Sequence, residues 1–161
     1  MKKNVYLAAP FFSDNQVQRM RLVANQLFGN KYIDDVYIPM DNQQDMIVEK
    51  FGSLNDAIPQ PEWQHGTYHA DLNALTAADV VVAILDYDER EPDSGTMFEV
   101  GYAVANNIPV VLVEFQQNDE PLNLMLAHAY TAYFWGIKDI QTLSDYNFLR
   151  MPYKSTSKEV F

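Results

Sequence analysis

The chain alternates between short, nearly continuous apolar runs and longer stretches in which apolar residues return every three or four positions. Asn4-Val-Tyr-Leu-Ala-Ala9 is the first run and predicts a buried strand. Ser13 or Asp14 can cap the helix that follows, where Val17, Met20, Ala24 and Leu27 share a face and Gly29 lies near the end. Val36-Tyr-Ile38 predicts a shorter strand, stopped by Pro39. Residues 40–60 are polar and contain Gly and Pro, so they read as one long loop, of the kind that in compact domains is usually functional or disordered.

Pro61 opens a second helix with Tyr68, Leu72 and Leu75 on one face. Asp79-Val-Val-Val-Ala-Ile-Leu85 is the strongest strand pattern, and residues 86–93 form a charged loop after it. A helix over 94–107 follows, with Met97, Val100, Gly101 and Val104 as its core stripe. Ile108 to Phe115 predicts a further buried strand, Leu122 to Ala129 a short helix, Tyr130 to Phe134 a weak strand, and Asp139 to Leu143 a last helix. The tail from Asn147 has no periodicity. Continuous apolar strands between amphipathic helices predict an α/β fold: residues 1–161 as a single domain, with a doubly wound, five-stranded, mainly parallel sheet and helices on both faces. Such sheets bind ligands outside the carboxyl ends of their strands.

Composition narrows the classes. The 48% hydrophobic content suits a globular chain, and the absence of cysteine removes disulfides, thiolate ligands and cysteine nucleophiles. It also fits a reducing, cytoplasmic setting. The Val5–Phe12 run after Lys2 and Lys3 is too short, and too interrupted by Pro10, to read as a signal peptide. No stretch approaches the roughly 20 apolar residues of a membrane helix. A net charge of −11, without a basic cluster, argues against a polymeric nucleic-acid partner. No glycine-rich phosphate loop follows the first strand.

The candidate chemistry is carboxylate chemistry. His65 and His69 share a helix face but lack the glutamate of a zinc-protease motif, so two partly exposed histidines are the simpler reading. Ser94 has no nucleophile-elbow context and reads as a turn or cap residue. Glu99 is the only charge in Ser94–Ala103. Thr96-Met-Phe-Glu99 matches a capping box, which would fold Glu99 back onto the helix start. The competing reading places Glu99 off the core stripe at the ligand edge of the sheet, where the positive helix end would keep a nucleophilic carboxylate ionised. Asp93 can be a turn or cap residue and Asp71 a solvated helix position; either can also converge on Glu99. Asn42 and Gln43 carry amides suited to a heterocycle's edge, though loop polarity explains them equally well.

Several segments, in order along the chain, carry a resemblance: VYLAAPFFSD (5–14), YIPMDNQ (37–43), TYHADLNAL (67–75), DSGTMFEVGYA (93–103), PLNLM (121–125) and SDYNF (144–148). Together they resemble the nucleoside 2-deoxyribosyltransferases of lactic acid bacteria, more closely the type II members that accept purines and pyrimidines. The resemblance implies a flavodoxin-like fold, independently the class read from the pattern. It implies that Glu99 is the nucleophile, Asp71 handles the leaving base's proton, and Tyr6 steadies Glu99. Asp93 would bind the sugar, and Gln43, Phe12 and Trp63 would surround the base. Asn123 would reach the sugar's 5′-hydroxyl of a neighbouring subunit, in a homo-oligomer that in this family is often a hexamer built of dimers. No metal or organic cofactor is implied. Close relatives end in tyrosine and this chain ends in Phe161, so the resemblance implies that any contribution of a terminal tyrosine hydroxyl is absent here.

The implied reaction is glycosyl exchange between a 2′-deoxynucleoside and a free nucleobase through a covalent deoxyribosyl-Glu99. Asp93 and Glu99 near the sugar would repel a 5′-phosphate. The alternatives are a deoxynucleoside or deoxynucleotide N-glycosidase with water as acceptor, and a non-catalytic nucleoside sensor.

Overall fold

The computed structural model of the protein describes residues 1–87, 92–115 and 120–161. Five strands form one sheet: β1 (Lys3–Ala8), β2 (Ile33–Tyr37), β3 (Val80–Leu85), β4 (Val110–Glu114) and β5 (Ala132–Trp135). Their spatial order is β2-β1-β3-β4-β5, and every neighbouring pair is parallel. This is the flavodoxin-like order, with its switch point between β1 and β3. The sheet is therefore wholly rather than mainly parallel.

Side-chain alternation divides each strand between two cores. Val5, Leu7, Val80, Val82, Ile84, Val111 and Val113 face α1 (Asp14–Phe28), which contributes Met20, Val23, Ala24 and Leu27. Tyr6, Ala8, Val81, Ala83, Leu85 and Leu112 face the opposite layer, where α4 (Pro61–Ala77) supplies Leu75 and α5 (Ser94–Ala105) supplies Val100 and Ala103. All six residues of β3 are buried because both faces are covered. Ser13 caps α1 in a full capping box with Gln16.

The stretch 40–60 is not one loop. A turn of 3-10 helix (Pro39–Asp41) leads into α2 (Asp45–Phe51) and α3 (Leu54–Ala57). Helix α2 buries no residue fully, so it lacks the apolar stripe that announces a helix in sequence. Gly52, at φ 90°, ends it, and Ser53 caps α3 by accepting from the Asp56 N–H. The charged loop 86–93 lies partly outside the described residues. The α6 helix, Leu124–Ala127, is shorter than its pattern, whereas the expected last helix at 139–143 lies within α7 (Ile137–Ile140) and the 3-10 turn Gln141–Ser144 that continues it.

The aperiodic tail is held by named contacts. Lys154 bridges to β5 at Ala132, and Val160 bridges to Leu122. Lys158 enters the interior and pairs with Glu114 at 2.5 Å, their side chains 3% and 0% exposed. Tyr133 donates to the other oxygen of the same carboxylate. No helix among the described residues is long and apolar enough to cross a membrane.

Candidate active site

The carboxyl edge of β1 and β2 builds the site from two tyrosines. Tyr6 and Tyr37 are register partners on adjacent parallel strands, so their side chains project to the same face. Their rings stack with centroids 5.5 Å apart and planes 16° apart. Tyr6, fully buried, donates its hydroxyl to Glu99 Oε1 at 2.5 Å. Tyr37 donates to Asp71 Oδ1 at 2.9 Å. Two helices on one side of the sheet thus each present a carboxylate to a strand tyrosine.

Helix α5 begins three residues earlier than a Thr96 cap requires. Asp93 is the N-cap: its Oδ2 accepts from the Thr96 N–H at 2.7 Å and from the Thr96 hydroxyl at 3.0 Å. A Cβ at Gly95 would lie 3.1 Å from that oxygen, which accounts for a glycine beside the cap. With Asp93 holding the cap, Glu99 falls in the second turn, away from the helix start, and the Thr96–Glu99 capping box does not form. The helix end therefore contributes little to ionising it, since dipole effects fade within the first turn. Burial instead pushes the Glu99 carboxyl up to about 7; the Tyr6 hydroxyl opposes this, and the Asp71 and Asp93 charges add to it. The core stripe of α5 also differs from the pattern reading. Thr96, Val100 and Ala103 are buried, while Val104 is 45% exposed.

Asp71 is likewise raised above the ordinary carboxylate range by burial, with the Tyr37 hydroxyl pulling the other way. Both tyrosines are pushed upward, by burial first and by the neighbouring carboxylates next. The result is a pair of electrostatically coupled, partly desolvated carboxyl groups, which is an arrangement suited to one nucleophile and one proton carrier.

Gln43 and Trp63 form the adjoining wall. The Trp63 indole N–H donates to the Gln43 carbonyl at 2.9 Å, and the Gln43 amide donates to the Pro39 carbonyl at 2.6 Å. Gln44 adopts a left-handed φ of 57° and turns the chain into α2. A groove of about 320 Å³ opens here, lined by Tyr37, Asn42, Gln43 and Ala70 among others. Phe12 stacks on Phe11 and is 76% exposed. The His65 and His69 rings meet edge to face with centroids 4.2 Å apart; among the described residues, no group of three or more His, Asp or Glu is placed to hold a metal ion.

Asn123 stands apart from Glu99. It caps α6, its Oδ1 accepting from the Met125 N–H at 2.9 Å. It lines a larger cavity, about 730 Å³, whose wall includes Met97, Val104, Met125 and Phe161 but not Glu99. Within one chain the structure brings Tyr6, Glu99, Asp71 and Asp93 together, places Gln43 and Trp63 alongside, and leaves Asn123 on another face. Sequence reading missed Tyr37, which registered only as a strand residue, because cross-strand register is invisible in sequence.

The fold and site define an α/β protein of flavodoxin-like strand order with a tyrosine-supported carboxylate pair at the ligand edge of the sheet. Residues 5–125 match the family model described as nucleoside 2-deoxyribosyltransferase. The chain is 37% identical over 153 residues to a nucleoside deoxyribosyltransferase of Limosilactobacillus fermentum, covering 89% of this chain and 85% of that relative. It is 31% identical over 156 residues to one of Lactobacillus leichmannii, covering 91% and 90%. Among solved structures it is similar to a 2-deoxyribosyltransferase from Bacillus psychrosaccharolyticus, at TM-score 0.75 and 28% identity over 95% of this chain and 98% of that one. The chain belongs to the nucleoside 2-deoxyribosyltransferase family, a family of enzymes.

Proposed function

We propose that the protein transfers the 2-deoxyribosyl group between a 2′-deoxynucleoside and a free purine or pyrimidine base, through a covalent deoxyribosyl-Glu99 intermediate. The observation that carries this reading is the half-buried Glu99 carboxylate held by Tyr6 at 2.5 Å and coupled to Asp71. In the first displacement a Glu99 oxygen bonds to the anomeric carbon as the glycosidic C–N bond breaks. The bond pair leaves with the base, and Asp71 supplies the proton the base takes up. In the second, a nitrogen of the incoming base attacks the same carbon, the Glu99 carboxylate departs, and Asp71 recovers a proton. Two inversions restore the β configuration.

Asp93 faces this centre with a negative charge, which favours a nucleoside over a 5′-phosphorylated nucleotide. The groove beside Gln43 and Trp63 is the proposed base site, to which Phe12 is proposed to add an aromatic contact. None of these steps requires a cofactor. Asn123 would serve a neighbouring copy of the chain, in a homo-oligomer such as a hexamer of dimers. The exposed apolar surface at Val104, Leu124, Met125 and Phe161 supports self-association on that face.

Chromatography of a deoxynucleoside incubated with a different free base tests the reading. A new deoxynucleoside is the expected product. Free deoxyribose alone would mean hydrolysis, and binding without turnover would mean a sensor. Glu99→Ala should abolish exchange while the fold persists.

A further inference from the structure

Tyr37 ends β2 and has the same relation to Asp71 that Tyr6 has to Glu99. Its hydroxyl reaches Asp71 Oδ1 at 2.9 Å, and its ring is braced flat against that of Tyr6, 5.5 Å away. It also lines the 320 Å³ groove next to Ala70, the residue before Asp71 on α4. The Asp71 carboxyl is therefore gripped from the strand side by a tyrosine that itself borders the space in which a base would sit.

We propose that Tyr37 is a positioning residue for the transfer: its hydroxyl, braced by the stack on Tyr6, holds Asp71 in the hydrogen-bonded orientation from which that carboxyl lends and recovers the base's proton. The inference rests on the reading of Asp71 as the proton carrier. The groups facing Asp71 are Tyr37 from β2, Tyr6 from β1 and Glu99 from α5. Asp41 and Asp45 stand across the groove, and Asp41 is engaged by Arg21. Among these, the Tyr37 hydroxyl stabilises the Asp71 anion by donating to it, and so opposes the effect of burial. Without it, Asp71 would hold its proton more tightly and would lose its fixed orientation.

The test is single-turnover release of base from a deoxynucleoside across pH, for wild type, Tyr37→Phe, Asp71→Asn and the double variant. The limb of the profile that Asp71→Asn removes is the Asp71 limb. In Tyr37→Phe that limb should move up by about one pH unit, the scale of one hydrogen bond to a carboxylate, and release should slow roughly tenfold. In the Asp71→Asn background, Tyr37→Phe should have no further effect on the profile. An unshifted limb in Tyr37→Phe, or an equal slowing with and without Asp71, overturns the inference. Carbon-13 titration of the Asp71 carboxyl provides a reading independent of turnover: its midpoint should rise in Tyr37→Phe, and an unchanged midpoint overturns the inference. If wild type releases no base, or Asp71→Asn leaves the profile unchanged, the underlying assignment of Asp71 fails instead.

Discussion

Tyr6 donates its hydroxyl to Glu99 Oε1 across 2.5 Å, joining the buried middle of β1 to the second turn of α5. The bond offsets part of the cost of desolvating the carboxylate, and under the proposed mechanism it leaves Oε2 as the attacking oxygen. Tyr6→Phe should therefore raise the Glu99 carboxyl above its value of about 7 and slow base release. A hydrogen bond to a charged group is worth about 1.5–3 kcal/mol, so a loss of roughly 10- to 100-fold is expected. The pH dependence of single-turnover base release measures both effects.

A nucleophilic Glu99, as proposed, must be ionised to attack, so under that mechanism kcat/KM should rise with pH through about 7. The same group affects stability with a definite sign. Its folded value, about 7, lies above the 4.5 of an unperturbed glutamate, so the folded state binds the proton more tightly. Its stabilising contribution is full below 4.5 and is lost as pH rises through 7. Glu99→Gln should then gain stability relative to wild type between pH 4 and pH 8.5, by up to about 3 kcal/mol. Denaturant titrations at the two pH values give the difference.

Asp93 has two separable tasks. As the N-cap of α5 it accepts from Thr96; as a charge it raises Glu99. Asp93→Asn keeps a capping side chain, so the melting temperature should change little, whereas Asp93→Ala should cost about 1 kcal/mol. Both should lower the acid limb of kcat/KM. Thermal denaturation beside a pH profile separates the two tasks.

The Lys158–Glu114 pair anchors the tail inside the protein. Removing one member of a buried ion pair strands the other charge, so Lys158→Met should cost about 3–5 kcal/mol, and adding Glu114→Leu should recover part of it. Thermal unfolding of the single and double variants is the check.

For Asn123, mixed oligomers of Glu99→Ala and Asn123→Ala chains should recover part of the exchange activity that each lacks alone. Activity assays on confirmed mixed species measure this, and no recovery would place Asn123 outside a shared site.

Much of the framework was legible in the sequence. Val80–Leu85 is apolar throughout because both faces are covered, and that pattern alone announced a parallel sheet. The α2 segment was illegible because it buries nothing fully. The site was legible in part. Glu99 stood out as the single charge of its segment, yet its local pattern favoured a capping box. Only the cap at Asp93 and the approach of Tyr6 from a strand 93 residues away resolve its place. Tyr37 and Lys158 were hidden for the same reason: cross-strand register and a 44-residue tail contact leave no periodicity.

In the proposed mechanism Glu99 carries the sugar as a covalent ester. Wild-type protein incubated with a deoxynucleoside and no acceptor base, then acid-quenched and digested for mass spectrometry, tests it most directly. One deoxyribosyl group is expected on the peptide containing Glu99, lost when a free base is added before quenching and absent in Glu99→Ala. An adduct on another residue, or rapid exchange by Glu99→Ala, would contradict it.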